Sequence, residues 1–234
     1  MKVDTAVVLA GGLGARLRPL TDNIPKGMIK VCGKPLLQWI IEWLHDCGVG
    51  HVVLGVTHQK DKIVEHFADG EKFGIDIQYS VHTIEGGTGE GFRLAISRYV
   101  DRDTFLALNG DQITNLNLDD LVNFHLKCNS TATIAINHPS CPYGHINVDN
   151  QGAIVNFIEK PFCPHALCNA GIYVFDRKIA QHLPERGDVE KTVFPTLAKL
   201  GLLNAYVFHD FFLTINTPKD LIEAEKELRG RKNR

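Results

Sequence analysis

Three patterns in the sequence predict an α/β fold, doubly wound around a mostly parallel, Rossmann-like sheet that carries a small β-rich insertion. Short apolar runs of strand length alternate with segments of helical periodicity through the first half of the chain. Glycine-rich turns directly follow two of those runs, and a third run ends in Asn109-Gly110-Asp111. After Asn129 the alternation gives way to closely spaced strand and turn signals, the mark of a hairpin inserted into the α/β pattern.

The first apolar run, residues 6–10, delivers the chain into Gly11, Gly12 and Gly14. Glycines there let backbone N–H groups converge on an anion with no Cβ in the way. Arg16 and Lys26 add fixed positive charge, so the loop suits a triphosphate. Two better-known glycine loops fail on the residues. The Gly-Lys-Ser/Thr of a P-loop is absent. A dinucleotide fingerprint begun at Gly12 would have Leu17 where its third glycine belongs, with nothing acidic at the ribose distance of about 20 residues. A plain strand-to-helix turn explains Gly11 and Gly12 but not Arg16, Arg18 and Lys26.

Pro35 then opens a helix in which Leu36, Ile40, Trp43, Leu44 and Cys47 recur at helical spacing until Gly48. Residues 51–57 read as a buried strand, 59–68 as an amphipathic helix and 75–80 as another strand. The turn containing Gly87 and Thr88 follows that strand and opens a helix through Phe92, Leu94, Ala95 and Tyr99, which places it at the carboxyl edge of the sheet. Residues 104–108 form a hydrophobic strand. Asp111 just beyond it is either a turn cap or a ligand for a hard cation. Residues 131–137 are a strand, and 145–148 and 154–158 flank Asp149-Asn150-Gln151-Gly152 as a hairpin. A helix over 188–200, a strand over 204–208 and a Glu/Lys-rich terminal helix complete the chain.

Composition bounds the function. With 44% hydrophobic and 22% charged residues over 234 positions, the chain has the make-up of an ordinary globular protein, and no apolar run approaches the roughly 20 residues of a membrane span. A formal charge of −2 argues against nucleic acid as a partner, since counterion displacement requires a basic face. Six cysteines without a CxxC pair, and no apparent signal peptide, suggest reduced thiols and a cytoplasmic location.

The run Gly11-Gly12-Leu13-Gly14-Ala15-Arg16-Leu17-Arg18-Pro19-Leu20-Thr21, with Pro25-Lys26-Gly27-Met28 and Gly33-Lys34-Pro35-Leu36-Leu37, closely resembles the signature of the sugar-1-phosphate nucleotidylyltransferases, the nucleoside-diphosphate-sugar pyrophosphorylases. Gly86-Gly87-Thr88-Gly89, Asn109-Gly110-Asp111, Glu159-Lys160-Pro161 and Asn169-Ala170-Gly171-Ile172-Tyr173 resemble further motifs of that family. The resemblance implies a single nucleotidyltransferase domain over residues 1–234, with 1–129 mainly binding nucleotide and 130–234 mainly binding sugar. It implies an enzyme that joins a nucleoside triphosphate to a sugar 1-phosphate and releases pyrophosphate, with Mg²⁺ as cofactor and a homo-oligomer as one possible assembly.

The same resemblance distributes roles. Leu9, Ala10, Gly11, Gly12, Gly14, Ala15, Arg16 and Lys26 would wrap the triphosphate, with His82, Gly87 and Thr88 beside the base or sugar. Asp111 would bind the metal. Gly144, Glu159, Lys160 and Asn169 would hold the sugar 1-phosphate, Lys160 by its charge. Arg16, Lys26, Asp111 and Lys160 form the implied catalytic set. Two departures stand out: Glu90 replaces a small residue, and Thr214 replaces the family's second metal-binding Asp, leaving Asn216 as a possible substitute. A neutral His82 matches the two adjacent donors of guanine poorly, which points to a pyrimidine nucleotide.

Three other readings remain open on the sequence. A non-sugar acceptor such as phosphocholine would fit the same fold, and Thr214 is compatible with a catalytically silent sugar-nucleotide sensor. His138, Cys141, His145, Cys163, His165 and Cys168 lie on the two approaches to the hairpin, where four of them would form a tetrahedral zinc site if those approaches pair. Their spacing fits no standard zinc motif, so zinc is the lesser reading there.

Overall fold

The structure, a computed structural model, describes residues 3–57, 59–139, 141, 143–163 and 166–232. Strand β1 (Thr5–Leu9) leads through the glycine loop to a small ribbon of β2 (Lys30–Val31) and β3 (Lys34–Pro35), then to α1 (Leu36–Asp46). Next come β4 (His51–Val56), α2 (Lys60–Phe67), β5 (Asp76–Val81), α3 (Gly87–Tyr99), β6 (Thr104–Asn109), β7 (Gln112–Thr114) and α4 (Leu118–Cys128). The remainder is β8 (Ala132–Asn137), β9 (His145–Val148), β10 (Ile154–Ile158), β11 (Cys168–Asp176), α5 (Val193–Lys199), β12 (Leu203–Val207), β13 (Phe212–Thr214) and α6 (Pro218–Lys232).

Seven strands form one sheet in the order β12-β8-β11-β6-β1-β4-β5. Every neighbouring pair is parallel except those of β11, which runs antiparallel to both β6 and β8. The predicted doubly wound, mostly parallel sheet is therefore present. Its order reverses at β1, which has β4 on one side and β6 on the other, and open α/β sheets bind ligands at the carboxyl end of such a switch point.

Alternation along the central strands sends side chains to two cores. Val8 packs with Leu37, Ile40 and Leu44 of α1, Ile63 and Phe67 of α2 and Leu121 of α4, whereas Val7 and Leu9 pack with Phe92 and Ile96 of α3 and Phe194 and Leu197 of α5. A third, smaller core joins Leu17, Ile29, Val31 and Leu36 to Ile113, Ile215, Ala224 and Leu228. It anchors the glycine loop to α6: burying Leu17 completely contributes about 1.5–3 kcal/mol to holding that loop.

Several elements differ from the sequence expectation. Helix α4 was not anticipated; Asn117 caps it, its side-chain oxygen accepting from the N–H groups of Asp119 and Asp120. The helix expected over 188–200 starts only at Val193, because the Thr88 hydroxyl takes the Val189 N–H and holds the preceding turn against α3. The β9–β10 hairpin forms a two-stranded sheet of its own rather than joining the main one, and every residue of both strands is exposed. Among the described residues no helix is long and apolar enough to cross a membrane.

Candidate active site

Leu9 pairs with Gly55 on β4 and with Asn109 on β6, so the loop after β1 emerges between the carboxyl ends of both neighbours. A cleft of about 320 Å³ opens there, lined by Leu9, Ala10, Gly11, Gly12, Lys26, Thr57, His82, Gly87, Thr88, Asn109 and Asp111 among others. The backbone seals its floor: Ala10 N–H donates to the Gly55 carbonyl at 2.7 Å and Gly110 N–H to that of Leu9 at 2.8 Å. Gly11 has no room for a side chain, since a Cβ would lie 2.5 Å from Thr57 Cγ2 and 2.9 Å from His82 Nε2. Gly14 sits at φ +59°, with its carbonyl held by the Thr21 hydroxyl at 2.8 Å.

Four of the polar groups singled out in the sequence converge at the cleft mouth. Lys26 Nζ donates to Asp111 Oδ2 and to Asn216 Oδ1, both at 2.8 Å, and Arg16 Nη2 donates to Asn216 Oδ1 at 3.3 Å. Asp111 is fixed from behind by its own carbonyl, which accepts from Ile215 N–H at 3.0 Å. That bond ties the β6–β7 corner to the segment entering α6. The Asp220 carboxylate then receives the N–H groups of Asn216 and Thr217, locking the turn. Thr214, the other residue of this segment, is exposed and pairs with Gln112 of β7 through the backbone. Asn216 is thus the residue that shares a cation with Asp111.

Two hard oxygens around one cation are a donor set suited to Mg²⁺, which takes few protein carboxylates and completes its octahedron with phosphate and water. Only Asp111 brings a charge to it. Both oxygens are satisfied here by the Lys26 ammonium.

The base side is less open than the motifs imply. The Thr88 hydroxyl donates to Glu190 Oε2 at 2.8 Å and accepts from Val189 N–H at 2.9 Å, so it serves the 187–190 turn. Gly87, at φ +65°, is pressed against that turn, where a Cβ would lie 2.7 Å from Asp188 Oδ1. His82 turns its Nε2 toward Gly11, and its Nδ1 is buried without a protein partner. Burial holds its pKa below the ordinary imidazole value, with the Glu90 charge opposing. The ring lines the cleft beside Thr83 and Ile84. Glu90 departs from the family pattern for a visible reason: its Oε2 accepts from both the N–H and hydroxyl of Thr83 at 2.7 Å, closing the loop before α3. Those two bonds keep its carboxyl below the usual range.

On the acceptor side, Gly144 and Glu159 meet across the root of the hairpin, where a Cβ on Gly144 would lie 3.1 Å from Glu159 Oε2. Lys160 adopts φ +46° and lies against Lys219 at the start of α6. Contact with Lys219 raises the Lys160 pKa and the same contact lowers that of Lys219, which also pairs with Glu223 at 3.8 Å. Asn169 is largely committed within the fold: its Oδ1 accepts from Gly171 N–H at 2.8 Å and its Nδ2 donates to Tyr173 Oη at 3.0 Å.

Three cleft residues carry no role assigned from the sequence, Thr57, Asn109 and Asp188, and neither does Lys219 against Lys160. Thr57 follows a buried strand just as Asp111 does, and the same rule would have marked it; its hydroxyl donates to the Gly11 carbonyl at 2.8 Å. Asn109 presents a buried Oδ1 with no protein partner at the end of β6. Lys219 carried no signal, because a lysine in the first turn of a charged helix looks like any other. Of the histidine and cysteine cluster, Cys141, His145 and Cys163 come together, and His165 lies outside the described residues.

A glycine-lined cleft at the switch point, with two cations and a carboxylate at its mouth, defines a nucleotide-handling α/β protein. The chain belongs to the nucleotidyl transferase family, whose model matches residues 5–230. It is 32% identical to a mannose-1-phosphate guanylyltransferase of Mycobacterium tuberculosis, across 95% of this chain and 64% of that one. It is likewise 32% identical to a UTP–glucose-1-phosphate uridylyltransferase of Synechocystis, across 88% and 58%. The chain thus spans less than two thirds of the length of these relatives. HddC from Yersinia pseudotuberculosis superposes with a TM-score of 0.77 at 26% identity, covering 96% of this chain and 99% of that one, and has also been solved in complex with GMP-PN.

Proposed function

We propose that the protein is a sugar-1-phosphate nucleotidylyltransferase, transferring a nucleoside monophosphate from its triphosphate to a sugar 1-phosphate with release of pyrophosphate. The observation that carries this reading is the convergence of Lys26, Arg16, Asp111 and Asn216 at the mouth of the glycine-lined cleft. A phosphate oxygen of the sugar 1-phosphate attacks the α-phosphorus in line, and the bond from the α-phosphorus to the bridging oxygen of pyrophosphate breaks. The nucleophile is already anionic and needs no general base. Catalysis is then positioning and charge stabilisation.

In this scheme the backbone N–H groups of the glycine loop and Arg16 hold the β- and γ-phosphates, and Lys26 moves from Asp111 onto the triphosphate. Asp111 and Asn216 would hold Mg²⁺, which would supply charge neutralisation at the phosphates. Lys160 and Lys219 form a paired cationic site for the acceptor phosphate. Glu159 and Gly144 lie beside it to meet sugar hydroxyls.

Relatives named for guanylyl transfer, and the HddC complex with GMP-PN, favour GTP as donor over the pyrimidine nucleotides, with mannose 1-phosphate and glucose 1-phosphate as the first acceptors to try. Pyrophosphate release measured over GTP, UTP, CTP, dTTP and ATP against a panel of sugar 1-phosphates tests the whole reading. Turnover with one sugar 1-phosphate supports it. Binding of a sugar nucleotide without turnover of any pair, with Mg²⁺ present, replaces it with a sensor.

A further inference from the structure

The approaches to the β9–β10 hairpin pair with one another. Cys141 N–H donates to the Pro161 carbonyl at 2.8 Å and Cys163 N–H to the Pro139 carbonyl at 3.0 Å, the exchange of an antiparallel ladder. His145, the first residue of β9, pairs with Ile158, the last of β10, immediately above that clamp. The effect is to gather the Cys141 Sγ, the Cys163 Sγ and a ring nitrogen of His145 within 4.8 Å of one another. In a tetrahedral site with Zn–S of about 2.3 Å and Zn–N of about 2.0 Å, ligand atoms stand roughly 3.3–3.8 Å apart, so side-chain rotation alone closes the gap.

We propose that Cys141, His145 and Cys163 bind a structural zinc ion at the root of the hairpin, with Cys168 as the fourth ligand. Two thiolates and an imidazole select zinc over the hard cations that the carboxylate and amide oxygens of the nucleotide cleft would take. Cys168 lies outside that 4.8 Å cluster, but it opens β11 opposite Asn137, two residues before the Pro139 whose carbonyl holds Cys163, so its exposed thiol is the one assigned to complete the tetrahedron.

The fold supplies a reason for such a site. A two-stranded hairpin is marginal in water by itself, and this one has no core: Val148, Val155 and Phe157 are 59%, 63% and 58% exposed. Its root, where Gly144 and Glu159 meet, is what such a metal would hold together. A metal there is the staple that small scaffolds without a core use. The assignment does not depend on the reaction proposed above.

Loading the reduced full-length chain with Zn²⁺, removing excess by gel filtration and measuring the metal by elemental analysis is expected to give one equivalent per chain. Cys141→Ser and Cys163→Ser should each lose that equivalent, while Cys32→Ser, in the β2–β3 ribbon, should keep it. Co²⁺ in place of zinc should give thiolate charge-transfer absorption and the intense visible bands of tetrahedral cobalt, a readout on the unmodified protein that requires no variant to fold. Absence of stoichiometric zinc and of the cobalt bands overturns the site, as does zinc retained by both cysteine variants or a Cys141–Cys163 disulfide in the zinc-loaded protein. Unchanged zinc affinity in Cys168→Ser overturns the assignment of the fourth ligand.

Discussion

The glycine loop and the β9–β10 hairpin both carry residues that the proposed reaction assigns to phosphate, yet they are held in opposite ways. The loop is overdetermined: Leu17 is fully buried beneath it, backbone bonds seal it to β4 and β6, and Thr57, His82 and Thr21 fill the space that glycine leaves. The hairpin has exposed strands, a two-bond clamp at its base and cations on flexible stems. This difference follows from the chemistry. In the proposed reaction the fixed backbone N–H groups of the loop suit charge that develops at the α-phosphorus, whereas an acceptor that must enter and a product that must leave favour an element that can yield.

The contrast is broken most severely at the cleft mouth. Lys26→Ala and Asp111→Ala are expected to lower turnover about 10²- to 10³-fold each with little change in melting temperature, since each removes a charge at the reacting phosphates. Steady-state kinetics beside a thermal melt reads both quantities, and near-normal rates in either folded variant would remove these residues from the mechanism. Next in size is a pair of substitutions within the loop. Gly11→Ala forces a Cβ into contact at 2.5 Å with Thr57 and should cost about 1–3 kcal/mol and weaken nucleotide binding. Gly12→Ala, with nothing within 4 Å of its Cβ, should change stability little. Equal effects of the two in urea unfolding would show that the loop is less rigid than the packing implies.

How far the sequence could foresee this arrangement differs between the same two regions. Around the loop, glycine, Arg16, Lys26 and Asp111 are local signals with one economical explanation, and the structure brings Arg16, Lys26 and Asp111 together through Asn216. Which polar residues are free for a ligand was not legible. Thr88 and Asn169 belong to motifs, but their side chains are occupied by Glu190, Val189, Gly171 and Tyr173, partners up to about a hundred residues away in the chain, as Thr88 and Glu190 with their separation of 102 show. The Lys160–Lys219 contact and the closure of Cys141 on Cys163 are likewise products of tertiary pairing. Helix α4 is the opposite case: Asn117 ahead of Leu118, Leu121 and Val122 is a local cap signal that the sequence does carry.

On the hairpin the expected effects are smaller and fall on a different constant. Lys160→Ala should raise KM for the sugar 1-phosphate about tenfold, the loss of one charge-assisted contact of about 1.5 kcal/mol, without altering the melting temperature. Lys219→Ala should do the same, and the two losses should fail to add in the double variant, because the two side chains are in contact. Strict additivity in that cycle would separate the two lysines and leave the acceptor phosphate with one cation. A fall in kcat with KM unchanged would move Lys160 from substrate binding to the transition state.

The smallest effect tests the rigid side by titration. Burial depresses the His82 pKa from its ordinary value near 6.5, so the unfolded chain binds a proton more readily than the folded one. Above that pH the ring is neutral in both states and its contribution to stability is complete. As pH falls below about 6.5 the unfolded state is protonated first, and stability is lost at up to about 1.4 kcal/mol per pH unit until the folded ring protonates as well. His66 and His125 are also depressed by burial and contribute to the same slope. They contribute equally in a His82→Gln variant, however, so the difference between the two curves isolates His82. Urea unfolding of both proteins from pH 8 to pH 5 should give a constant difference at the alkaline end and one that shrinks in favour of the variant below pH 6.5. Parallel curves over the whole range would mean that the ring under Gly11 already exchanges protons freely with water, and that the floor of the cleft is as yielding as the hairpin.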